Sequence, residues 1–456
     1  MTSVTEGTAP RRKSSLLELG EHTKKRNAAE KRFEIYGMVA VGIGVVALVA
    51  LLSSIIYNGS GSFRQTFINL TVELPADRLD RDGNRNPVEM AKVTTFGYAP
   101  ILAQNLANMI SELGIEIEGI TPRAIQGLIS QEAPAQLRNR VLATNADGTL
   151  AEPDLLGSTI EISVLANGRV DGYFKGRVTM ESAELDSNIS PAQLRLVDAL
   201  REAGVIETRF NWGFITGPDA SELRPEAAGL GVAILGSLYM MIVVLVLALP
   251  IGVAASIYLE EFAPKNRWTD LIEVNISNLA AVPSIVFGIL GLAVFINFAG
   301  LPQSAPIVGG LVLTLMTLPT IIIATRASLK AVPPSIRDAA LGVGASKMQA
   351  VFHHVLPLAA PGILTGTIIG LAQALGETAP LMLIGMVAFV REYPTAPPEG
   401  FFDPASALPV QVYNFTQRAD PAFIERASGA IIILLIFLFA MNLLAVLLRR
   451  RFERRW

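Results

Sequence analysis

The chain has 456 residues and is 51% hydrophobic but only 17% charged, with 37 basic and 40 acidic residues and a net charge of −3. Soluble domains carry about 25% charged residues, which excludes a purely soluble protein. A charge at the centre of a bilayer costs about 2.5–3.5 kcal/mol, which excludes a protein made of membrane helices alone. The net charge is close to zero, so it gives no indication of a basic surface that would bind nucleic acid. The absence of cysteine excludes disulfides, thiolate metal sites and cysteine nucleophiles, and three histidines do not indicate a metal centre.

The first apolar run, residues 37–57, is long enough to cross a bilayer core of roughly 30 Å and contains no charge. It is too long and too far from the N-terminus for a cleavable signal peptide, so we expect a retained anchor. The preceding segment, residues 1–36, is a basic tail that the positive-inside rule places in the cytoplasm. Its basic residues are Arg11, Arg12, Lys13, Lys24, Lys25, Arg26, Lys31 and Arg32.

Five further apolar runs follow from residue 227 onward and predict a core of five helices over 227–449. The runs are 228–258, 274–298, 305–324, 359–390 and 427–448. With six spans and both termini inside, every basic connection lies in the cytoplasm, including the C-terminal tail at 450–456. The basic residues concerned are Lys265, Arg267, Arg326, Lys330, Arg337, Lys347, Arg449, Arg450, Arg451, Arg454 and Arg455.

The run 359–390 is longer than one span needs, and two spans there would place the basic C-terminus outside. We therefore predict one helix that is tilted or broken near Gly370, Gly376 and Pro380. The run 228–258, which contains Pro250, is interpreted in the same way.

Residues 58–226 form a soluble insert between the first and second spans, with 22 acidic and 14 basic residues over 60–222. Alternating apolar residues on either side of Asn167-Gly168 predict a β-hairpin over 158–178. Thr121-Pro122 and Ser190-Pro191 predict helix starts, the second helix ending at Gly204. We expect a small extracytoplasmic α+β domain, without a catalytic constellation. A solvated loop is preferred over a cation site for its acidic group, Asp77, Asp80 and Asp82.

A distinctive motif follows the fourth span. It consists of Asp338, Ala339 and Ala340, with Gly344 four residues later and Leu356-Pro357 a dozen residues beyond that. Two alanines would leave a helix face thin enough to enter a groove on a partner. Gly344 would turn one short helix into the next by adopting a left-handed conformation, and Pro357 would begin the next span. The alternative is an ordinary amphipathic loop.

This pattern resembles the EAA loop of ABC importer permeases, with Asp338 in place of the usual Glu. Three further segments resemble phosphate-importer permeases, and the last resembles the PstA-type more than the PstC-type subunit. They are Ile257-Tyr-Leu-Glu-Glu-Phe-Ala-Pro-Lys265, Val282-Pro-Ser-Ile-Val-Phe-Gly288 and Gly376-Glu-Thr-Ala-Pro-Leu381. The resemblance covers about 227–449. It implies an all-α polytopic membrane protein with six transmembrane helices of the MetI-like ABC permease type, here carrying the inserted α+β extracytoplasmic domain.

No G-x-x-x-x-G-K-[ST] motif occurs, so no P-loop ATPase site is expected. The resemblance implies a transport subunit of the bacterial inner membrane that binds no cofactor, while a PstB-like ATPase dimer uses the ATP. A PstC-like permease would complete the pore, and an external binding protein would deliver phosphate. The coupling loop would comprise about residues 326–357. Alternatives are an ABC permease for another oxyanion or solute, and a membrane-anchored sensor that uses the external domain.

The candidate substrate pathway contains Arg326, Gln373, Glu377 and Thr378. A carboxylate inside the membrane indicates function, but it would repel phosphate, so Glu377 is expected to position a basic group or to hydrogen-bond within the helix packing. The family usually has Arg at the positions of Ile323 and Gln373. Arg326 lies about one turn beyond Ile323 and is a candidate phosphate contact, or a charge that reaches the cytoplasmic surface. His353 and His354 are interpreted as interfacial or ATPase-facing residues, without a metal role.

Overall fold

The computed structural model describes residues 21–452, which divide into two units between Ile56 and Tyr57. Residues 1–20 and 453–456 are outside the described part. The predicted roles of Arg11, Arg12 and Lys13 in the basic tail, and of Arg454 and Arg455 at the C-terminus, therefore concern residues outside it.

A long helix, α1 (Glu21–Gly59), contains the predicted first span and is long and apolar enough to cross a membrane. It begins well before that span because residues 22–36 contain neither Gly nor Pro and are rich in Lys, Glu, Ala and Arg, all good helix formers.

The insert is built on a three-stranded antiparallel sheet in the order β2-β1-β3. The strands are β1 (Arg64–Glu73), β2 (Thr159–Leu165) and β3 (Ile206–Phe210). Nine helices surround it: α2 (Ala76–Leu79), α3 (Pro87–Met90), α4 (Thr95–Glu112), α5 (Pro122–Gln126), α6 (Ala133–Val141), α7 (Gly168–Phe174), α8 (Met180–Ala183), α9 (Pro191–Glu202) and α10 (Trp212–Thr216). Strands and helices are thus mixed in this segment, as the sequence predicts.

One core joins the sheet to these helices. Alternate residues of β1, including Ile68, Leu70 and Val72, are fully or almost fully buried, as expected when one face of a strand covers a core. Leu106 of α4 and Leu196 of α9 lie in the same cluster. The whole segment 57–452 forms one unit, so the predicted boundary at 226 does not separate two units.

The predicted hairpin around Asn167 is wrong. β2 pairs with β1 instead, and the chain enters α7 directly after the strand. The side-chain oxygen of Asn167 accepts a hydrogen bond from the backbone N–H of Arg169 at 2.9 Å, which caps the new helix. The predicted starts at Thr121 and Ser190 are confirmed, and so is the end of α9 before Gly204, whose φ is +78°. In the acidic group, Asp80 is buried and accepts a hydrogen bond from the Arg85 N–H.

The remaining helices form the apolar part of the protein. They are α11 (Gly231–Ile257), α12 (Arg267–Ala280), α13 (Ser284–Leu290), α14 (Pro306–Ala331), α15 (Pro334–Gly342), α16 (Lys347–Ala350), α17 (Leu356–Gly376), α18 (Ala379–Leu383), α19 (Leu408–Gln417) and α20 (Ala422–Phe452). Over the whole described chain, five helices are long and apolar enough to cross a membrane, or six if one bent pair counts as a span.

The bent pair replaces the continuous span predicted over 274–298. α12 and the segment Ser284–Phe298, which is α13 extended by a π-helical stretch, meet at an angle of 104°. The break falls at Val282-Pro283, where the proline disfavours a helical conformation of the residue before it.

The other two long runs differ from each other. The run 359–390 is broken, as predicted, but after Gly376 and not at Gly370. Pro250, in contrast, lies inside the continuous helix α11, so no break occurs there. Membrane helices tolerate an internal proline when neighbouring groups satisfy the freed backbone.

The crossings of α14 depend on small residues. A Cβ on Gly310 would lie 2.5 Å from Val243 of α11, and one on Gly366 of α17 would lie 2.2 Å from Ala324 of α14. Small residues allow membrane helices to approach closely, so α14 is fixed between α11 and α17.

Candidate functional site

The motif-bearing loop connects α14 to α17 through two short helices, α15 and α16. Gly344 lies between them with φ of +89°, as predicted. Its N–H bonds to the carbonyl of Leu341 at 3.0 Å, and the N–H of Ala345 bonds to the carbonyl of Ala340 at 3.1 Å. This pair of bonds is the Schellman motif, which favours glycine at the left-handed position. A Cβ at Gly344 would meet no atom within 4 Å, so only its backbone conformation requires glycine.

The loop presents an apolar surface, which we call the loop surface. It comprises Ala339, Leu341, Val343, Met348 and Phe352, all exposed, with Val343 at 86%. Asp338 lies beside it and is exposed, but Ala340 is only 5% exposed. Of the two alanines predicted to leave a thin helix face for a partner, only Ala339 is therefore exposed, because neighbouring residues of a helix point in different directions. The docking of this face in a partner stays a prediction.

α17 begins at Leu356 with Pro357 in its first turn, as predicted, but it is continuous with the helical residues before it. One continuous helix runs over Lys347–Gly376 and includes a π-helical segment, Val351–Val355. The Leu356 N–H bonds five residues back to the carbonyl of Val351, so the widened turn accommodates the proline that follows. His353 and His354 lie in this segment and are exposed.

Arg337 attaches α15 to the π-helical segment Tyr258–Phe262, which continues α11. Its Nη2 and Nε donate to Oε1 of Glu261 at 2.7 and 3.1 Å. The same guanidinium donates to the carbonyls of Leu329 and Val332, at 2.8 and 2.7 Å, where α14 ends. The Glu261 side chain is only 7% exposed, and charge-assisted hydrogen bonds are strong in such surroundings. We call Arg337 and Glu261 the loop anchor.

Arg326 is also paired with carboxylates. Its Nη2 lies 2.6 Å from Oε1 of Glu273 on α12, and its Nε lies 3.4 Å from Oε2 of Glu260. Lys330 approaches the same Glu260 oxygen at 3.5 Å. Phosphate would have to compete with two carboxylates for Arg326, so a phosphate contact requires this pairing to open.

The other pathway candidates lie at the end of α17. Gln373 is exposed, and Glu377 and Thr378 follow the helix end and are partly buried. Within residues 21–452 the Glu377 carboxylate has no hydrogen-bond or ion-pair partner, and none of these three side chains pairs with Arg326. Ile323 is 45% exposed on α14. A carboxylate left unpaired beside an exposed helix face is compatible with a partner on another subunit.

The sequence predicts the bend at Gly344 but not the loop anchor. Glu261 belongs to the segment Ile257–Lys265, and Arg337 is one of several basic loop residues. Their separation of 76 residues gives no periodic signal, so only the folded chain shows that they meet.

Comparison with known proteins identifies the family. Residues 248–456 match the family described as binding-protein-dependent transport system inner membrane component. YqgI of Bacillus subtilis, a probable ABC transporter permease protein, is 32% identical over 230 residues, which are 48% of this chain and 78% of that protein. The chain belongs to the binding-protein-dependent ABC permeases. It is a membrane subunit of an ABC importer, with the MetI-like, predominantly helical fold of that family and without an ATPase site of its own.

Several of the similar proteins are named as phosphate transport system permeases. The phosphate transport system permease protein PstA 1 of Mycobacterium tuberculosis is 32% identical, over 50% of this chain and 73% of that protein. PstA 2 of Mycobacterium bovis is 30% identical over 272 residues, 59% of this chain and 85% of that protein. A solved structure of the MetNI methionine ABC transporter matches 50% of this chain and 95% of its own, at 16% identity and a TM-score of 0.37. Residues 20–184 match a domain of unknown function, DUF3333.

Proposed function

We propose that this ABC permease is the PstA-type subunit of an ATP-driven phosphate importer. It would form half of the translocation pathway and couple to a separate ATPase through residues 326–357. The observation that carries the proposal is the loop anchor: it holds α15 against the ends of both α11 and α14 while leaving the loop surface exposed.

This arrangement suits force transmission. A partner that displaces the loop surface pulls through Arg337 on two long apolar helices at once, because buried charge-assisted bonds resist extension. Alternating access would follow when closure of the ATPase dimer moves the short helices and rocks the spans.

The proposed topology has six spans, counting the bent pair α12 and Ser284–Phe298 as one, with both termini in the cytoplasm. Lys265, Arg267, Lys330 and Lys347 then lie on the cytoplasmic side, as the positive-inside rule favours. The insert at 58–226 lies outside the cytoplasm. Because the chain has no cysteine, single cysteines placed in each connection would report their side by labelling with an impermeant maleimide.

The proposed partners are a PstC-like permease, a PstB-like ATPase dimer that uses the ATP, and an external phosphate-binding protein. The subunit itself binds no cofactor. Gln373, Glu377 and Thr378 are assigned to the pathway wall, with Glu377 positioning a cation of the second permease. Arg326 stands at the cytoplasmic end of the pathway, held by Glu260 and Glu273.

The test is uptake of radiolabelled phosphate, sulfate and molybdate by cells in which the gene is deleted. Deletion should abolish the uptake of phosphate alone, and a plasmid copy should restore it. Loss of sulfate or molybdate uptake with phosphate uptake intact would overturn the phosphate assignment in favour of another oxyanion. If all three persist at the wild-type rate, the transport assignment fails and the external domain becomes the candidate sensor.

A further inference from the structure

A polar cavity of about 670 Å³ lies between the insert and the start of α20, within the unit that begins at Tyr57. Its walls come from residues 57–64 after the apolar part of α1, from α7 and the turn after it, from α9, and from the start of α20. We call it the junction cavity. Its size lies within the range of small-molecule sites.

The lining of the junction cavity is strongly basic. It contains Arg64, Lys175, Arg177 and Arg201, against the single carboxylate of Glu425. Four cations and one carboxylate give the cavity lining a net charge of +3, although the insert that supplies the four cations is acidic in total. Such a concentration of one sign of charge attracts counter-ions into a cleft.

Two carboxylates, those of Asp171 and Glu425, neutralise part of this positive charge. The Lys175 ammonium lies 2.6 Å from Oδ2 of Asp171, which is buried beneath it, and 3.0 Å from Oε1 of Glu425. Arg177 lies 3.2 Å from the other Glu425 oxygen and 3.6 Å from Asp171. Lys175 and Arg177 therefore compensate the charge of Glu425. Glu425 is the lining group that would repel an anion in the cavity.

Three groups at the cavity make no bond to these carboxylates: the guanidinium groups of Arg64 and Arg201, and Nε of Arg177. Within residues 21–452 the Arg64 side chain makes no hydrogen bond or ion pair. Arg201 lies 4.7 Å over the ring of Phe174, with no carboxylate at ion-pair distance in the described chain. The buried Nε of Arg177 has no hydrogen-bond partner in that part of the chain either. Planar guanidinium groups recognise phosphate in a bidentate manner.

We propose that the junction cavity binds a phosphate group through Arg64, Arg201 and Nε of Arg177. The group is inorganic phosphate or the headgroup of an anionic phospholipid. Both sources are considered because the cavity lies beside the start of α20, a helix long and apolar enough to cross a membrane. The assignment does not depend on phosphate import and can fail or hold separately from it.

The test uses the full chain reconstituted in nanodiscs. One arm measures the binding of radiolabelled inorganic phosphate in phosphatidylcholine discs by equilibrium dialysis. The other counts phosphatidylglycerol retained from mixed phosphatidylcholine and phosphatidylglycerol discs by native mass spectrometry. The variant Arg64→Gln/Arg201→Gln is compared with Arg123→Gln/Arg195→Gln, which removes the same charge from two exposed arginines of the insert.

The proposal predicts that the first variant weakens binding by about tenfold or more in one arm, since charged hydrogen bonds are lost, and that the control stays near wild type. The arm that responds identifies the source. Arg64→Lys/Arg201→Lys should recover part of the binding, which a folding defect would not allow. If the wild type binds neither probe, or if both double Gln variants behave alike, the proposal is overturned.

Discussion

Two guanidinium nitrogens of Arg337, on the short loop helix α15, donate to the same oxygen of Glu261, Oε1, at 2.7 and 3.1 Å. Glu261 lies in the π-helical segment Tyr258–Phe262 that continues α11. These residues are 76 positions apart in the chain. The contact joins the loop to the membrane helices at a point where the Glu261 side chain is almost inaccessible to water.

Removal of this contact should uncouple the loop. Arg337→Ala leaves the Glu261 carboxylate nearly buried and unpaired, so we expect a clear loss of phosphate uptake at equal amounts of protein in the membrane. Lys330→Ala is the control, because its side chain is 59% exposed and its pairing distance is 3.5 Å, and exposed pairs contribute about 0–1 kcal/mol. Equal uptake by the two variants would contradict the role of the loop anchor.

The role of Arg326 can be tested through its ion pair with Glu273. If the ion pair is what uptake requires, Arg326→Gln and Glu273→Gln should impair phosphate uptake to a similar extent. The double variant should then be no worse than either single variant. Uptake by the four proteins of this cycle gives the coupling. Independent, multiplying defects would instead favour a separate role for Arg326, such as contact with phosphate.

A feature of this protein can be predicted from the sequence when neighbouring residues determine it, and not when contacts between distant segments determine it. Gly344 is predictable because a left-handed turn demands a particular residue type locally. Asn167 is misleading because Asn-Gly suits a hairpin, yet Asn also caps helices, and the pairing of β2 with β1 decides between them. The break at Pro283 escapes prediction because the apolar run continues through it. Contacts such as Arg337 with Glu261 depend on the packing of distant segments and leave no local pattern.

The buried charges under the junction cavity should govern the stability of the insert. Lys175→Met removes the nearest cation from Asp171 and Glu425, which then keep only Arg177, at 3.6 and 3.2 Å, as an ion-pair partner within the described chain. The Lys175 side chain is only 6% exposed there. Breaking such a pair costs about 3–5 kcal/mol, so the thermal midpoint in detergent should fall markedly. Arg85→Met, at an ion pair with side chains 51% and 96% exposed, should leave the midpoint almost unchanged. A similar midpoint for both variants would refute the importance of the buried charges.

Glu226 should make stability depend on pH. Burial raises the pKa of its carboxyl above the ordinary 4.5, although the Ser130 hydroxyl donates to it. The folded chain therefore keeps this proton to higher pH than the unfolded chain does, so the contribution of Glu226 to stability is lost as pH rises from the ordinary value through the raised one. Glu226→Gln should flatten the fall of the thermal midpoint as the pH rises above 4.5, the ordinary pKa of a glutamate carboxyl. An unchanged pH profile in the variant would contradict this assignment.

The coupling loop itself is tested at two neighbouring glycines. A Cβ at either Gly342 or Gly344 would meet no atom within 4 Å, and only Gly344 has a positive φ, +89°. Valine at 344 therefore meets conformational strain alone, since a left-handed residue costs about 1–2 kcal/mol or more, and valine at 342 avoids it.

The most direct measurement is radiolabelled phosphate uptake by deletion cells that carry Gly344→Val or Gly342→Val, with equal membrane levels checked by immunoblot. We predict a loss of about tenfold or more for Gly344→Val and near-wild-type uptake for Gly342→Val. Wild-type uptake by Gly344→Val would contradict the claim that this loop couples an ATPase to phosphate transport.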